Sequence, residues 1–216
     1  MIIDKLHNFL KQFGLIQLIK RLFLKLISPV LSIKSDLVLI IINHKYKENI
    51  NEVKLMSVKK INLWLENRSI SIEYFNKFNK FLGNNCIGYY IEINNELAAW
   101  GFVQTKGIYK YGSYFYDIPE SVHMLKNLYV SPNFRGMSLG KKINEARINA
   151  IPEGCIPCGF VIPENKYAIR NLKLYGFQEQ LKISHISWFK KYTYTRLQLI
   201  QDNKLNEIII KGFKTL

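Results

Sequence analysis

The sequence predicts an α/β layered domain preceded by a basic amphipathic helix. From residue 123 onward, apolar strand-like runs alternate with helix-like runs, which is the pattern of a layered α/β fold. In residues 1–30, apolar residues recur at helical spacing among basic ones, which predicts the helix. A chain of 216 residues with 48% hydrophobic content is long and apolar enough to bury one substantial core.

The predicted N-terminal helix ends near Pro29. Apart from Asp4 its charges are basic, and its apolar positions at near-helical spacing are Ile2, Leu6, Phe9, Phe13, Ile16, Phe23 and Ile27. Charges recur throughout, so the segment is not a secretory signal, and no uncharged run reaches the roughly 20 residues of a membrane span. Two interpretations remain open. Residues 1–28 attach to an anionic membrane surface, or they pack against the rest of the chain or a second subunit.

We expect a boundary near residue 46, which separates this helix and a short strand in residues 1–46 from the layered domain in residues 47–216. The strand is "DLVLIII" (36–42), a run rich in β-branched residues. The layered domain opens with a strand at 53–58 and two helices, "KKINLWLENR" and "SIEYFNKFNKFLG". Ser71 or Ser69 caps the second helix, and Gly83 ends it.

Two β segments follow the helices. "CIGYYIEINNELAAWGFVQ" predicts a hairpin that turns at Asn94-Asn95, because asparagine tolerates the positive φ of a tight turn. "IYKYGSYFYDIPES" predicts an edge strand or a loop over a cleft. The aromatic side chains of this second segment either stack on an acceptor or pack at the sheet edge; they are Tyr109, Tyr111, Tyr114, Phe115 and Tyr116.

The second half of the chain alternates regularly. The predicted elements are strand "HMLKNLYV", helix 138–150, strand "CIPCGFVI", helix 165–174 and strands "FQEQLKI" and "HISWFKKYTYT". We expect "EIIIKGF" near the end of the chain to add one short strand.

The charge and the cysteines limit the classes of partner and site. A net charge of +15 favours polyanionic partners, unless it reflects only the codon bias of an A/T-rich genome. Cys86, Cys155 and Cys158 are an odd number, which argues against a disulfide framework and for a reducing compartment. Cys155 and Cys158 form a C-x-x-C pair, but no second pair completes a zinc site, so we expect no metal.

The segment "VSPNFRGMSLGKK" (130–142) joins the predicted central strand to a helix. Amide groups at a helix start carry partial positive charge and bind phosphate oxygens. Gly136, Ser138 and Gly140 leave the backbone accessible, while Arg135 and Lys141 add full charges. The turn therefore predicts a diphosphate site, although neither the dinucleotide fingerprint nor the P-loop pattern is present.

Two motifs resemble the GNAT superfamily of acyl-CoA-dependent N-acyltransferases. "LYVSPNFRGMSLGKKI" is similar to its acyl-CoA-binding pattern, with Ser138 where the family usually has glycine. "VIPENKYAIRNLKLYGF" is similar to its second segment at Asn165, Ala168, Gly176 and Phe177. The resemblance covers about residues 50–195.

The resemblance implies a mixed, mostly antiparallel sheet that splays open between the strands ending at Val130 and Ile162 and is flanked by helices. It also implies acetyl-CoA, or another acyl-CoA, as co-substrate. The pantetheine would contact Leu128 and Val130, and Asn165 would face it across the split. The residues that would hold the diphosphate are Arg135, Gly136, Met137, Ser138, Leu139, Gly140 and Lys141.

The resemblance also implies catalytic positions, and here the sequence departs from the family. Lys126 and Asn127 stand where many members have a carboxylate base, and Leu172 stands where many have a tyrosine acid. His123 is the predicted replacement base, since its pKa suits proton transfer near neutral pH. The backbone N–H of Val130 is the predicted oxyanion donor.

The sequence therefore predicts an N-acyltransferase that acts on a small amine, with a nucleotide-linked amino sugar of surface-polysaccharide synthesis as one acceptor. The alternative is a non-catalytic module of the same fold that binds an anionic membrane or nucleic acid. We expect a cytoplasmic protein, at the inner membrane face if the helix attaches there. A homodimer is left open, and nucleic acid is the less favoured partner.

Overall fold

The structure is a computed structural model that describes residues 15, 16, 19, 22, 23, 26–28, 30–41, 52–111, 114–189 and 192–214. The chain divides into two compact units, and each is built from two separate stretches of sequence. The first unit comprises Met1–Leu39 and Phe160–Asn206, and the second unit comprises Ile40–Gly159 and Glu207–Leu216.

The second unit is a layered α/β structure. Its main sheet has the strand order β8-β7-β4-β3-β2. The β7–β8 pair is parallel, while β7–β4, β4–β3 and β3–β2 are antiparallel. The elements in chain order are β2 (Lys54–Leu55), α1 (Val58–Glu66), α2 (Ile72–Gly83), β3 (Cys86–Ile93), β4 (Glu96–Gln104), β5 (Gly107–Tyr111), β6 (Tyr114–Ile118), β7 (Val122–Val130), α3 (Leu139–Asn149) and β8 (Ile156–Val161). The α/β class and the mixed, mostly antiparallel sheet flanked by helices are confirmed.

Helices α1 and α2 begin where the sequence offers serine caps. The Ser57 hydroxyl accepts a hydrogen bond from the Lys60 amide, and the Ser71 hydroxyl accepts one from the Tyr74 amide. Both helices cover an apolar cluster on one face of the sheet, in which Trp64, Phe78, Trp100 and Phe102 are nearly or fully inaccessible to solvent. The cluster fixes the face of β4 that carries Trp100 and Phe102 against the helices.

A second sheet in this unit is small and has the order β11-β6-β5. Its outer strand is β11 (Phe213–Lys214), which follows helix α5 (Leu205–Lys211) and pairs antiparallel with β6. The prediction of a strand for "EIIIKGF" was wrong for most of its length. Asn203 caps the Leu205 amide, so Glu207 to Lys211 continue as helix, and only Phe213 and Lys214 are extended.

The first unit contains strands β1 (Leu31–Ile40), β9 (Gln178–Trp188) and β10 (Tyr192–Leu199) in the order β10-β9-β1, together with helix α4 (Lys166–Lys173). β9 continues without a break from the predicted strand "FQEQLKI" into His185–Trp188, the first four residues of "HISWFKKYTYT". The prediction of "HISWFKKYTYT" as one strand was wrong, because its last four residues, Tyr192–Thr195, begin β10. The described residues between 15 and 27 are helical, as predicted. Among the described residues, no helix is both long enough and apolar enough to cross a bilayer.

Candidate active site

The segment between β7 and α3 is a tight, irregular turn. Pro132–Phe134 form one turn of 3-10 helix, and α3 begins at Leu139. Two residues adopt left-handed backbone, Gly136 with φ 90° and Ser138 with φ 57°. Glycine adopts this conformation without steric cost, whereas a serine there is uncommon and has to be held by its surroundings.

Successive amide groups of this turn lack acceptors. Within the part of the chain that the structure describes, the N–H groups of residues 136–140 donate to no other group, and the first helical bonds of α3 run from Lys141 and Lys142 to the Ser138 carbonyl. A nest of backbone amides at a helix start binds anions. Gly136, Met137 and Ser138 are exposed, while the Leu139 side chain is buried and anchors the helix. The turn therefore presents amide groups at a helix start that are available to an acceptor.

Charged groups surround this turn. Arg135 and Lys141 are both exposed at its rim. Lys142 lies one residue further along and forms an ion pair with Glu52. Arg135 and Lys141 thus place two positive charges next in sequence to the amide nest, where positive charge favours phosphate binding.

Strand β7 leads into the turn and has an open edge next to it. Its parallel ladder with β8 runs from Val122↔Ile156 to Leu125↔Gly159, and among the described residues it extends no further. On the other edge, the Ser131 amide donates to the Ala98 carbonyl of β4. Because N–H groups alternate along a strand, the amides of Leu128 and Val130 point away from β4. These are the two residues that the resemblance assigned to pantetheine.

A β-bulge separates the paired and open parts of β7. Trp100 pairs with Tyr129 and Phe102 with Lys126, so the single residue Gly101 lies opposite Asn127 and Leu128. Asn127 has φ 52°, the left-handed conformation that one type of bulge requires. The bulge sets the direction of the residues that follow, from Leu128 to Val130.

A buried arginine of α3 holds the bulge in place. Arg147 Nη1 donates to the carbonyl oxygens of Phe102 (3.1 Å) and Lys126 (3.0 Å), one on each strand, and Nη2 donates to Asn144. Burial lowers the pKa of Arg147 to about 9, so the side chain stays cationic at neutral pH. Gly101 makes the necessary room, since a Cβ atom there would lie 2.9 Å from Arg147 Nη1.

Lys126 occupies the position where the family often has a carboxylate. Its Nζ donates to Gln104 Oε1 at 2.7 Å and lies 5.1 Å from the ring centroid of Phe81 and 4.9 Å from that of Tyr109. Burial lowers the pKa of Lys126, which the nearby Cys86 partly offsets. The Lys126 ammonium group therefore lies close to two aromatic rings and is hydrogen-bonded to Gln104.

The structure does not bring the two predicted catalytic groups together. His123 lies near the start of β7, where it pairs with Pro157, while Val130 ends the strand. Seven strand residues span about 20 Å. Burial lowers the pKa of His123, which keeps the imidazole neutral. An amine positioned at Val130, as the resemblance implies, would lie too far from His123 for direct proton transfer.

The second motif lies in the first unit. Asn165 caps helix α4, and its Oδ1 accepts from the Ala168 amide at 3.1 Å. This bond explains why an asparagine precedes the helix, since its side-chain oxygen satisfies an amide of the first turn. Leu172, at the position of the family's tyrosine acid, is buried on the same helix. The contact of Asn165 with a cofactor stays a prediction.

Two tyrosines near the bulge were missed by the sequence analysis. The Tyr129 ring stacks on Trp100 with centroids 4.4 Å apart, and the Tyr74 and Tyr129 ring centroids lie 6.5 Å apart. Burial and Tyr129 raise the pKa of Tyr74, so its hydroxyl stays protonated. Both residues are only partly buried, and Tyr129 directly precedes Val130. The one available signal was the aromatic residue inside the "LYV" of the first motif.

Tyr116 and Cys158 are buried, and neither is available as a site residue. Tyr116 of the aromatic segment is completely buried against Phe213, which favours the packing interpretation for that ring. All three cysteines are free thiols, and burial raises the pKa of Cys158, which makes it unreactive. The described residues contain no group of three or more His, Cys, Asp or Glu side chains suited to a metal ion.

Solved structures similar to the chain include acetyltransferases of the GNAT family, which both sequence motifs resemble. A protein from Novosphingobium aromaticivorans, described as an acetyltransferase of this family, is 14% identical over 80% of this chain and 67% of its own, with a TM-score of 0.48. An aminoglycoside N-acetyltransferase in complex with CoA is 15% identical over 59% and 91%, with a TM-score of 0.40. A GNAT-family acetyltransferase from Colwellia psychrerythraea is 14% identical over 71% and 55%, with a TM-score of 0.44.

No protein-family model matches the chain, and no curated protein is similar to it in sequence. The structural likenesses have TM-scores below 0.5 and carry no argument about its activity.

Proposed function

We propose that the chain is an acyl-CoA-dependent N-acyltransferase of the GNAT type, which transfers an acyl group, with acetyl-CoA as donor, to the amine of a small acceptor. One observation carries the proposal: the open edge of β7 at Leu128–Val130 leads directly into the amide nest at residues 136–140. An extended pantetheine ending in a diphosphate needs a strand edge followed by an anion site, in that order.

Each part of the donor would have its own partner. The amides and carbonyls of Leu128 and Val130 would pair with the pantetheine amides in the manner of an added strand. The amides of Gly136, Met137, Ser138, Leu139 and Gly140 would receive the diphosphate, and Arg135 and Lys141 would add charge.

Val130 is proposed to stabilise the reacting thioester. Its N–H points away from β4, so it is available to donate to the thioester oxygen as negative charge develops there. Among the described residues, no carboxylate side chain takes the place of the missing base on β7, where Lys126 and Asn127 lie. Rate acceleration would therefore come chiefly from positioning an unprotonated amine against the thioester.

The Tyr74–Tyr129 pair is the proposed source of the proton for the departing thiolate. Tyr129 is adjacent to the oxyanion donor, and its ring centroid lies 6.5 Å from that of Tyr74; both side chains are partly accessible. Tyr74 is protonated at neutral pH, as an acid must be.

The acceptor is proposed as a small amine. A nucleotide-linked amino sugar fits the excess of basic residues, but the buried Tyr116 takes no part in stacking on it. Tyr109 contacts Lys126, so a ligand would have to share that ring with the ammonium group.

Calorimetric titration with acetyl-CoA tests the donor site, and two matched glycines sharpen the test. Gly136 (φ 90°) and Gly154 (φ 85°) both have left-handed backbone and open space around an added Cβ. Gly136→Ala and Gly154→Ala should lose similar stability, but only Gly136→Ala should weaken acetyl-CoA binding, by about tenfold. Equal affinities of both variants for acetyl-CoA would show that the amide nest does not bind the diphosphate. Absence of acetyl-CoA binding by the wild type would reject the proposal.

Turnover separates the enzyme from a binding module of the same fold. Release of free CoA is followed with a panel of small amines, which includes amino sugars, their nucleotide conjugates and aminoglycosides. Amine-dependent release supports the proposal. Acetyl-CoA binding without release for any amine would favour the non-catalytic alternative.

A further inference from the structure

The described part of the N-terminal helical segment exposes an apolar face. Leu15, Ile19, Leu22 and Leu26 recur at the spacing of one helix face, with Ile16 and Phe23 beside them. These six side chains are between 54% and 81% exposed. In the single chain these six side chains are therefore largely accessible to solvent or to a partner.

A second exposed apolar group lies on the hairpin between β9 and β10. Trp188 and Tyr192 are cross-strand partners, and Phe189 follows in the turn; all three are more than half exposed. Aromatic side chains with one apolar and one polar end are typical of the membrane interface. Two lysines, Lys190 and Lys191, stand between Phe189 and Tyr192 in the sequence.

Backbone hydrogen bonds connect the helical segment to the hairpin. The Val30 amide donates to the Ile27 carbonyl at the end of the helical segment, and the Phe189 amide donates to the Val30 carbonyl at 2.7 Å. Both apolar groups lie in the first unit, and this chain of bonds makes them neighbours. We call them together the basic apolar surface: Leu15, Ile16, Ile19, Leu22, Phe23, Leu26, Trp188, Phe189 and Tyr192.

The charge of both stretches has a single sign. Residues 5–35 contain Lys5, Lys11, Lys20, Arg21, Lys25 and Lys34 and no Asp or Glu. Residues 180–201 contain Lys182, Lys190, Lys191 and Arg196 and again no Asp or Glu. An apolar surface on stretches of sequence that carry cations and no carboxylates is complementary to an anionic bilayer, which offers both hydrocarbon and negative headgroups.

A second copy of the chain is a poorer partner for this surface. A two-fold dimer would place the surface against itself, and its cations would face cations. Nucleic acid would satisfy the charges but would leave the exposed leucines, isoleucines and phenylalanine in water. We propose that the basic apolar surface binds the chain to the surface of an anionic lipid bilayer, with the helical segment lying in the interface.

Vesicle co-sedimentation of the full chain tests this proposal. The probes are phosphatidylcholine vesicles with and without about 30% phosphatidylserine, at about 0.1 M and about 0.5 M NaCl. We expect binding to the anionic vesicles only, with weakening at the higher salt concentration. Absence of binding to anionic vesicles, or equal binding to both kinds, would overturn the proposal.

Two double variants locate the binding surface. Ile16→Gln with Phe23→Gln changes the helical segment, and Trp188→Ser with Phe189→Asn changes the hairpin, where asparagine suits the φ of 48°. Each should weaken vesicle binding by about tenfold or more. The control, Val58→Gln with Ile108→Gln, removes two apolar side chains of comparable exposure from the second unit and should bind as the wild type does.

Two further measurements test whether the surface instead packs within the chain or binds a second copy of it. Thermal unfolding midpoints of the surface variants should match that of the control, and a selective loss would show that these side chains pack within the chain. Light scattering gives the oligomeric state. A wild-type dimer that both surface variants convert to monomer, without vesicle binding, would assign the surface to a second copy instead.

Discussion

The Nη1 group of Arg147 lies 3.0 Å from the carbonyl oxygen of Lys126, and this hydrogen bond ties helix α3 to the bulge of β7. The same nitrogen holds the Phe102 carbonyl on the neighbouring strand. One buried cation therefore binds a carbonyl oxygen on each of the two strands, β4 and β7, where the bulge interrupts their ladder. It fixes the strand from which Leu128 and Val130 extend.

Replacement of this arginine by lysine should cost about 2 kcal/mol of unfolding free energy, because an ammonium group on a shorter stem cannot reach both carbonyls and Asn144. Urea unfolding of Arg147→Lys measures the loss. Arg170→Lys, on exposed helical surface of α4, is the control and should change stability by less than about 0.5 kcal/mol. Equal effects of the two substitutions would contradict the assigned role.

Gly101→Ala should destabilise the protein by about 1 to 3 kcal/mol, since the added methyl group would lie 2.9 Å from both Arg147 Nη1 and Ile143 Cγ2. Gly83→Ala is the control, because a Cβ at Gly83 meets nothing within 4 Å at the end of α2. That variant should be neutral or slightly more stable. A tolerated Gly101→Ala would show that the arginine can move aside.

Asn127 should tolerate glycine but not valine. Asn127→Gly keeps the left-handed backbone, whereas Asn127→Val strains it by about 1 kcal/mol or more and shifts the bulge. Under the proposed function, Asn127→Val should also weaken acetyl-CoA binding in a calorimetric titration. Asn85→Val carries the same backbone strain (φ 55°) in the turn before β3, and it should lose stability while it keeps its affinity for acetyl-CoA.

His123 should make stability depend on pH in the acid range. Burial lowers its pKa in the folded state, so below about pH 6.5 the unfolded chain binds a proton that the folded chain does not. The free energy of unfolding therefore falls as the pH falls below about 6.5. At higher pH, His123 does not change the free energy of unfolding. His123→Gln should reduce this slope without abolishing it, because His185 also has a lowered pKa. An unchanged slope would contradict this account.

Turnover provides a separate test of the same residue. If the proposed acylation occurs, His123→Gln should retain wild-type kcat and KM, since the strand places the imidazole about 20 Å from Val130. A large loss of kcat with unchanged stability would support His123 as the general base.

Local signals in the sequence predicted the elements that depend on local chemistry. Ser71 caps α2, and Asn94 and Asn95 both adopt positive φ in the β3–β4 turn, as their side chains allow. The turn at Gly136 and Ser138 was predicted as a strand-to-helix junction with accessible amides, and its geometry agrees.

Features that depend on distant contacts could not be predicted. Nothing in "NEARINA" distinguishes Arg147 from a solvent-exposed arginine, because its burial depends on the space left by Gly101, far away in sequence. The bulge at Asn127 follows from the register of two strands and not from either strand alone. The distance of His123 from Val130 could not be read from the sequence, because it depends on where strand β7 begins and ends.

The small β11-β6-β5 sheet of the second unit can be completed only at the end of synthesis. β6 lies between β5 and β11, and the Asp117 amide donates to the carbonyl of Gly212, almost a hundred residues later in the chain. A ribosome delivers the first unit's second stretch, Phe160–Asn206, before that partner exists. The small sheet that encloses Tyr116 is therefore incomplete until residue 214 has been synthesised, and until then a nascent chain exposes an unpaired strand edge that chaperones or other nascent chains can bind.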